Sequence, residues 1–191
     1  LLPARLTNWK GHKLAIKAIS RLKVKNFKLV FIGDMQGRVK YRNELINLAN
    51  ALNVDNKVII INHTRDLPSY LMLSDLVLSC SIKPEAFGRI SVEAQSMKKP
   101  IVASDIGGSR ETIVDNKTGL LFSSSDHHSL SEKLDFIFRF IYDYTFKIIK
   151  RIYKFIFHID SSSSLYMSTT IHLISTINIK LICIIIHFPH E

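Results

Sequence analysis

Two carboxylates, Glu85 and Glu93, flank a Phe87-Gly88-Arg89 turn in the stretch KPEAFGRISVEAQSMKKPIVASDIGGSRET, which runs from Lys83 to Thr112. Glycine at such a turn lets the backbone approach a ligand closely. A helix N-terminus behind it offers free N–H groups and a partial positive charge. Together these features suit a phosphate flanked by hydroxyl groups. The spacing of the carboxylates corresponds to about 12 Å along a continuous helix, which an intervening turn alters only modestly. A nucleotide diphosphate sugar, with hydroxyls at both ends and a pyrophosphate between them, has about that reach.

Positioning these groups requires a folded body, and the composition supports one. The chain has 191 residues, 47% of them apolar, enough for one domain with a large extension or for two small domains. The 26 Lys and Arg exceed the 16 Asp and Glu, giving +10 and favouring anionic partners. That excess is spread along the chain without a dense basic block, which argues against nucleic acid. Cys80 and Cys183 lie far apart, with no CxxC pattern and no His partner, as in a reducing, cytoplasmic setting. The opening Leu1-Leu2-Pro3-Ala4-Arg5 reads as the end of a strand, so further sequence is expected upstream.

Apolar runs at Leu29 to Ile32, Val58 to Ile61, Leu76 to Leu78, Ile101 to Ala103 and Gly119 to Phe122 are short and unbroken. Helical spacing separates them: Leu14, Ala15, Ala18, Ile19 and Leu22, then Tyr41, Leu45, Leu48, Ala49 and Leu52, then Ile90 to Met97. This alternation predicts an α/β fold, a Rossmann-like open parallel sheet with helices on both faces, over residues 1–139. In such sheets ligands sit at the carboxyl ends of the strands. The Arg5 to Lys10 turn, the Gly33 turn, the His63 loop and the Glu85 loop are expected to gather there. Asp126 or Ser129 is expected to cap the last helix, Ser129 and Glu132 having capping-box spacing.

Residues 140–191 differ in character, with no Gly, Ala or Val and an excess of Ile, Phe, Tyr, Lys and Ser. Three readings stay open for this atypical tail. It is a stretch never selected to fold, as a wrong-frame read of an A/T-rich gene would give. Alternatively Phe140 to Ile159 forms a basic amphipathic helix on an anionic membrane surface. Ile171 to Phe188 has about the length of a membrane span, but Lys180 falls inside it.

Taken in order, the motifs resemble the C-terminal half of the retaining glycosyltransferases with two Rossmann-like domains (the GT-B fold), a family that includes many bacterial lipopolysaccharide and polysaccharide sugar transferases. Arg5-Leu6 with Lys10-Gly11 is similar to the family's Arg and Lys turn. Glu85 and Glu93, with seven residues between them and Phe87-Gly88 inside, are similar to its paired-glutamate motif. Pro100 to Ser104, Gly107-Gly108, Glu111 and Asn116 to Phe122 follow in the family's order. The resemblance implies that Arg5 and Lys10 hold the donor diphosphate, with Gly88, Arg89 and Ile90 presenting backbone N–H groups to it. It implies that Glu85, the catalytic candidate, accepts hydrogen bonds from the sugar and Glu93 from the ribose. Nucleotide diphosphate sugar is the implied donor substrate, with no cofactor and no divalent metal, since Arg, Lys and a helix dipole stabilise the leaving diphosphate.

The family's N-terminal Rossmann-like domain, which binds the acceptor, lies outside these residues and is expected in cis or as a separate chain. The resemblance therefore leaves two readings open, a working donor half acting at the inner face of the membrane and an inactive remnant that at most binds nucleotide diphosphates. An isolated pair of glutamates at this spacing also occurs on ordinary surface helices, and the ordered company of the other motifs is what distinguishes it here. His63 is a minor candidate, since a loop His is more often simply exposed. No Walker A loop, GxGxxG fingerprint or nucleophile elbow occurs, which argues against kinase-like, dinucleotide-dependent and hydrolase chemistry.

Overall fold

A computed structural model describes residues 1–141, and the expectations for the tail from residue 142 onward lie outside the described residues. Residues Leu1–Ile137 form one compact unit. Its strands are β1 (Leu2–Pro3), β2 (Leu29–Ile32), β3 (Val58–Ile61), β4 (Val77–Ser79), β5 (Ile101–Ser104) and β6 (Leu120–Phe122). Between them run helices α1 (His12–Ser20), α2 (Val39–Ala51), α3 (Leu67–Leu73), α4 (Arg89–Ser96) and α5 (Ser109–Thr112), and residues 127–141 are also helical. The α/β alternation read from the sequence is thus present, with every strand pair parallel.

The strands pair as two ladders, β3-β2-β1 and β4-β5-β6. Leu2 lies opposite Phe31 and Val77 opposite Ile101. The ladders are joined at Leu1. Its amino group donates to the Leu76 carbonyl at 2.7 Å, and its carbonyl accepts from the Leu78 N–H at 2.8 Å. Bonds to residues on either side of Val77 are the pattern of a parallel pair. The strands therefore follow the order 3-2-1-4-5-6, and the direction of winding reverses between β1 and β4. Crossover loops leave that switch point in opposite directions and open a crevice above it.

Burial explains why these runs became strands. All four residues of β5 are buried, and Ile101 and Ala103 pack with Leu71, Val77, Ala94 and Ile113 in one cluster. Each large apolar side chain removed from water in this way contributes about 2 kcal/mol. The outermost strand β3 departs from the expectation of full cover on both faces. Its Ile59 is 41% exposed, because an edge strand has neighbours on only one side.

Local signals stop the helices. After α4, Lys98 adopts a left-handed conformation (φ 55°), so that the N–H groups of Lys98 and Lys99 return to the carbonyls of Gln95 and Ala94. This is a Schellman closure without glycine, and Pro100 follows it. Asn53 (φ 55°) closes α2 in the same way, with the Val54 N–H bonded to the Ala49 carbonyl. Asp66 caps α3 by accepting from the Ser69 N–H. Asp126 caps the last helix, accepting from the N–H groups of His128 and Ser129, while the Ser129 hydroxyl accepts from the Ser123 N–H.

His12 opens α1 fully buried, edge-on to Phe31 at 4.9 Å and to Tyr41 at 6.0 Å. Neither ring nitrogen completes a hydrogen bond among the described residues, and the Thr7 and Tyr41 hydroxyls near it are likewise buried without partners. Burial pushes the imidazole down to about 4, with a smaller opposing pull from the Thr7 and Ala4 backbone. The neutral ring is thereby favoured in the folded state. Between about pH 4 and 6.5 the unfolded chain binds the extra proton, so stability is complete above 6.5 and falls as pH is lowered. Urea denaturation should show a loss of about 3 kcal/mol across that window. In His12→Gln this component of the pH dependence should vanish.

Gly11 (φ 77°) ends the Asn8–Lys10 turn directly against the β4 side of the seam, where an added Cβ would lie 1.8 Å from the Cys80 carbonyl oxygen. Gly37 has a similar φ of 73° with nothing near its missing side chain. Gly37→Ala should therefore lose only the conformational cost, about 1–2 kcal/mol. Gly11→Ala should lose that and more, because β1 and β4 must separate to admit the methyl group. Paired denaturant titrations check the difference.

Candidate functional site

A small crevice, open to solvent, lies at the carboxyl ends of β1 and β4, where Lys10, Ser81, Glu85 and Ile90 line it. Two loops line it and a third supports one of them. The first continues from β1, still paired to its neighbour through the Ala4 N–H to the Ile32 carbonyl and the Leu6 N–H to the Asp34 carbonyl. It then turns through Asn8–Lys10. The second leaves β4 and is tied to the first by the Ile82 N–H, which donates to the Trp9 carbonyl at 2.8 Å. The third is the Gly107-Gly108 turn after β5.

The diglycine turn seats the glutamate loop. The Gly108 N–H donates to the Glu85 carbonyl at 2.7 Å. A Cβ on Gly107 would lie 2.6 Å from that same carbonyl oxygen, and one on Gly108 would lie 2.6 Å from Phe87 Cα. Two residues without side chains are needed for the loops to lie this close. A motif that reads as a simple turn thus fixes the height of Glu85 in the crevice.

Lys10 and Glu85 meet directly, Nζ to Oε1 at 2.7 Å, with side chains 16% and 24% exposed. The same oxygen accepts from the hydroxyl of Ser81, which is buried. The Lys10 ammonium also lies 4.2 Å from the centre of the Trp9 ring, a cation–π distance. One carboxylate oxygen therefore holds two donors, and one ammonium is held between a carboxylate and an indole. Sequence reading assigned neither Ser81 nor the Trp9 ring to the site. The only signal for Ser81 is its place four residues before Glu85, directly after a buried strand.

Gly88, in the left-handed region at φ 72°, stands just ahead of α4. Among the described residues the N–H groups of Gly88, Arg89 and Ile90 have no backbone acceptor, as the first turn of a helix requires. Ile90 borders the crevice, so these donors stand at its rim. Glu93 is half-buried one turn further along α4, and among the described residues no side chain pairs with its carboxylate. Arg5 and Arg89 are exposed. His63 is exposed beyond β3, two strands away from β1, and is not among the residues that line the crevice. Asp105 pairs with Arg110 at 2.7 Å, outside the crevice. Among the described residues no group of three or more His, Cys, Asp or Glu side chains gathers as a metal would need. No helix among them is long and apolar enough to cross a membrane.

The fold and the sequence of these residues have known relatives. The family described as glycosyl transferases group 1 matches residues 1–139. Anabaena Alr3699/HepE, solved in complex with UDP and glucose, is 29% identical with a TM-score of 0.67, over 70% of this chain and 37% of that one. The C-terminal domain of a glycosyl transferase group 1 family protein, LpcC, from Francisella tularensis is 26% identical with a TM-score of 0.66, over 72% of this chain and 74% of that one. The capsular polysaccharide biosynthesis glycosyltransferase CapM of Staphylococcus aureus is 25% identical over 58% of this chain and 28% of its own length. The chain spans about a third of the length of the curated relatives it matches. With the family pattern running through the whole described fold, from the β1 turn to the helix after β6, this chain belongs to the group 1 glycosyltransferases.

Proposed function

We propose that residues 1–139 are the C-terminal, donor-binding half of a retaining glycosyltransferase, which moves a sugar from a nucleotide diphosphate sugar to a hydroxyl group in lipopolysaccharide or polysaccharide synthesis. One observation carries the reading. Lys10 and Glu85, from loops on opposite sides of the seam, meet at 2.7 Å beside the open N-terminus of α4. A cation, a hydroxyl acceptor and unpaired N–H groups thus share one crevice at the switch point of the sheet. The matches to HepE with UDP and glucose and to CapM favour this donor and this pathway class.

In the mechanism, Lys10, Arg5 and the N–H groups of Gly88, Arg89 and Ile90 neutralise charge on the diphosphate as the sugar–phosphate bond breaks. Arg5 is exposed and free of side-chain partners among the described residues, so it can swing over the phosphates. Glu85 orients the sugar through its hydroxyls, and Glu93 accepts from the ribose. The acceptor hydroxyl is brought by a second Rossmann-like domain, in cis or as a separate chain, at the inner face of the membrane. No divalent metal takes part in donor binding.

Calorimetric titration of the chain with UDP in the presence of EDTA tests the donor site. Binding should persist in the chelator, and Lys10→Met and Glu93→Ala should each weaken it about tenfold, the loss of one charge-assisted contact. Binding that both substitutions leave unchanged would overturn the assignment. A second reading, that these residues hold nucleotide diphosphate without turnover, needs only the Lys10–Glu85 pair and the open N-terminus of α4. Sugar transfer assayed with and without an added N-terminal half separates the two, since only the working enzyme gains activity from its partner.

A further inference from the structure

We infer that Lys10 exchanges partners when donor binds, being held by Glu85 while the crevice is empty and by the diphosphate when it is filled. The inference rests on the donor reading above. Its basis is the distribution of donors around Glu85. Lys10 Nζ and Ser81 Oγ both address Oε1, and no described side chain addresses Oε2. Lys10 is only 16% exposed, and its ammonium also lies over the Trp9 ring. Its charge is therefore already satisfied before any phosphate arrives.

A diphosphate at the α4 N-terminus must compete with Glu85 for this ammonium. On exchange, Ser81 keeps its bond to Oε1, so Glu85 stays in place while losing its strongest counter-charge. The freed carboxylate is then a better acceptor for a hydroxyl beside the phosphate. Occupation of the phosphate subsite thus prepares the carboxylate for the sugar. The competition also lowers the affinity for a diphosphate that brings no sugar hydroxyls, such as the spent product.

The sign of one substitution tests this. Glu85→Gln keeps the shape and removes the competing charge, so the chain should bind UDP about five- to tenfold tighter than the unaltered protein. Simple charge repulsion between Glu85 and phosphate would also give a gain, and a double-mutant cycle separates the causes. In a Lys10→Met background, partner exchange leaves Glu85→Gln with less than about a twofold effect, whereas repulsion leaves the full gain. Unchanged or weaker UDP binding by Glu85→Gln, or the same gain in both backgrounds, overturns the exchange. Inorganic pyrophosphate as a second probe separates this inference from the function it rests on. A Lys10-dependent gain with pyrophosphate, with no binding of UDP to any variant, would retain the exchange and overturn the nucleotide reading. Binding of neither probe would overturn both.

Discussion

The join between β1 and β4 is the constraint on which the site depends. β1 is only two residues long, and Pro3 has no N–H to give to a ladder. It is held instead by neighbours on both sides, β2 through its register and β4 through the two bonds at Leu1. Gly11 then packs its bare Cα against the Cys80 carbonyl, and the Trp9 carbonyl takes the Ile82 N–H. Contacts from backbone to backbone leave little freedom for the loops. Lys10 and Glu85 approach each other because their main chains have nowhere else to go.

Above that join, charge is arranged with little help from water. A half-buried ion pair loses hydration on both partners and recovers it only through good geometry and further donors. Here the further donors are the Ser81 hydroxyl on the carboxylate and the Trp9 face beneath the ammonium. The opposite condition holds at α4, where the N–H groups of the first turn are left open and Glu93 has no described side-chain partner. One part of the crevice is internally balanced and the adjoining part is not. That unevenness is what a ligand with negative charge in its middle and hydroxyls at its ends can exploit.

Much of this was legible in the sequence because the signals were local. Unbroken apolar runs identified the parallel strands, and the order of the Arg, Lys, Glu and Gly motifs identified the loops that converge. Other features were not local. The seating role of Gly107-Gly108 depends on the Glu85 loop lying across it, a contact between two elements that no periodicity encodes. Ser81 enters through geometry alone, and the direct meeting of Lys10 with Glu85 needs both halves of the sheet in place. His63 shows the converse limit. It follows a strand as the site loops do, yet strand order puts β3 at the far edge. The closure of α4 at Lys98 was also hidden, since the left-handed position there carries lysine where glycine is usual.

The cation beneath which Trp9 lies gives the molecule a built-in reporter. Trp9 is the only tryptophan in the chain, and its ring sits 4.2 Å from the ammonium at the mouth of the crevice. Indole emission responds to the electric field across the ring, so any change in the position or pairing of Lys10 is written into the protein's own fluorescence. Events at this site can be followed without a label, and no second indole elsewhere in the chain confuses the signal.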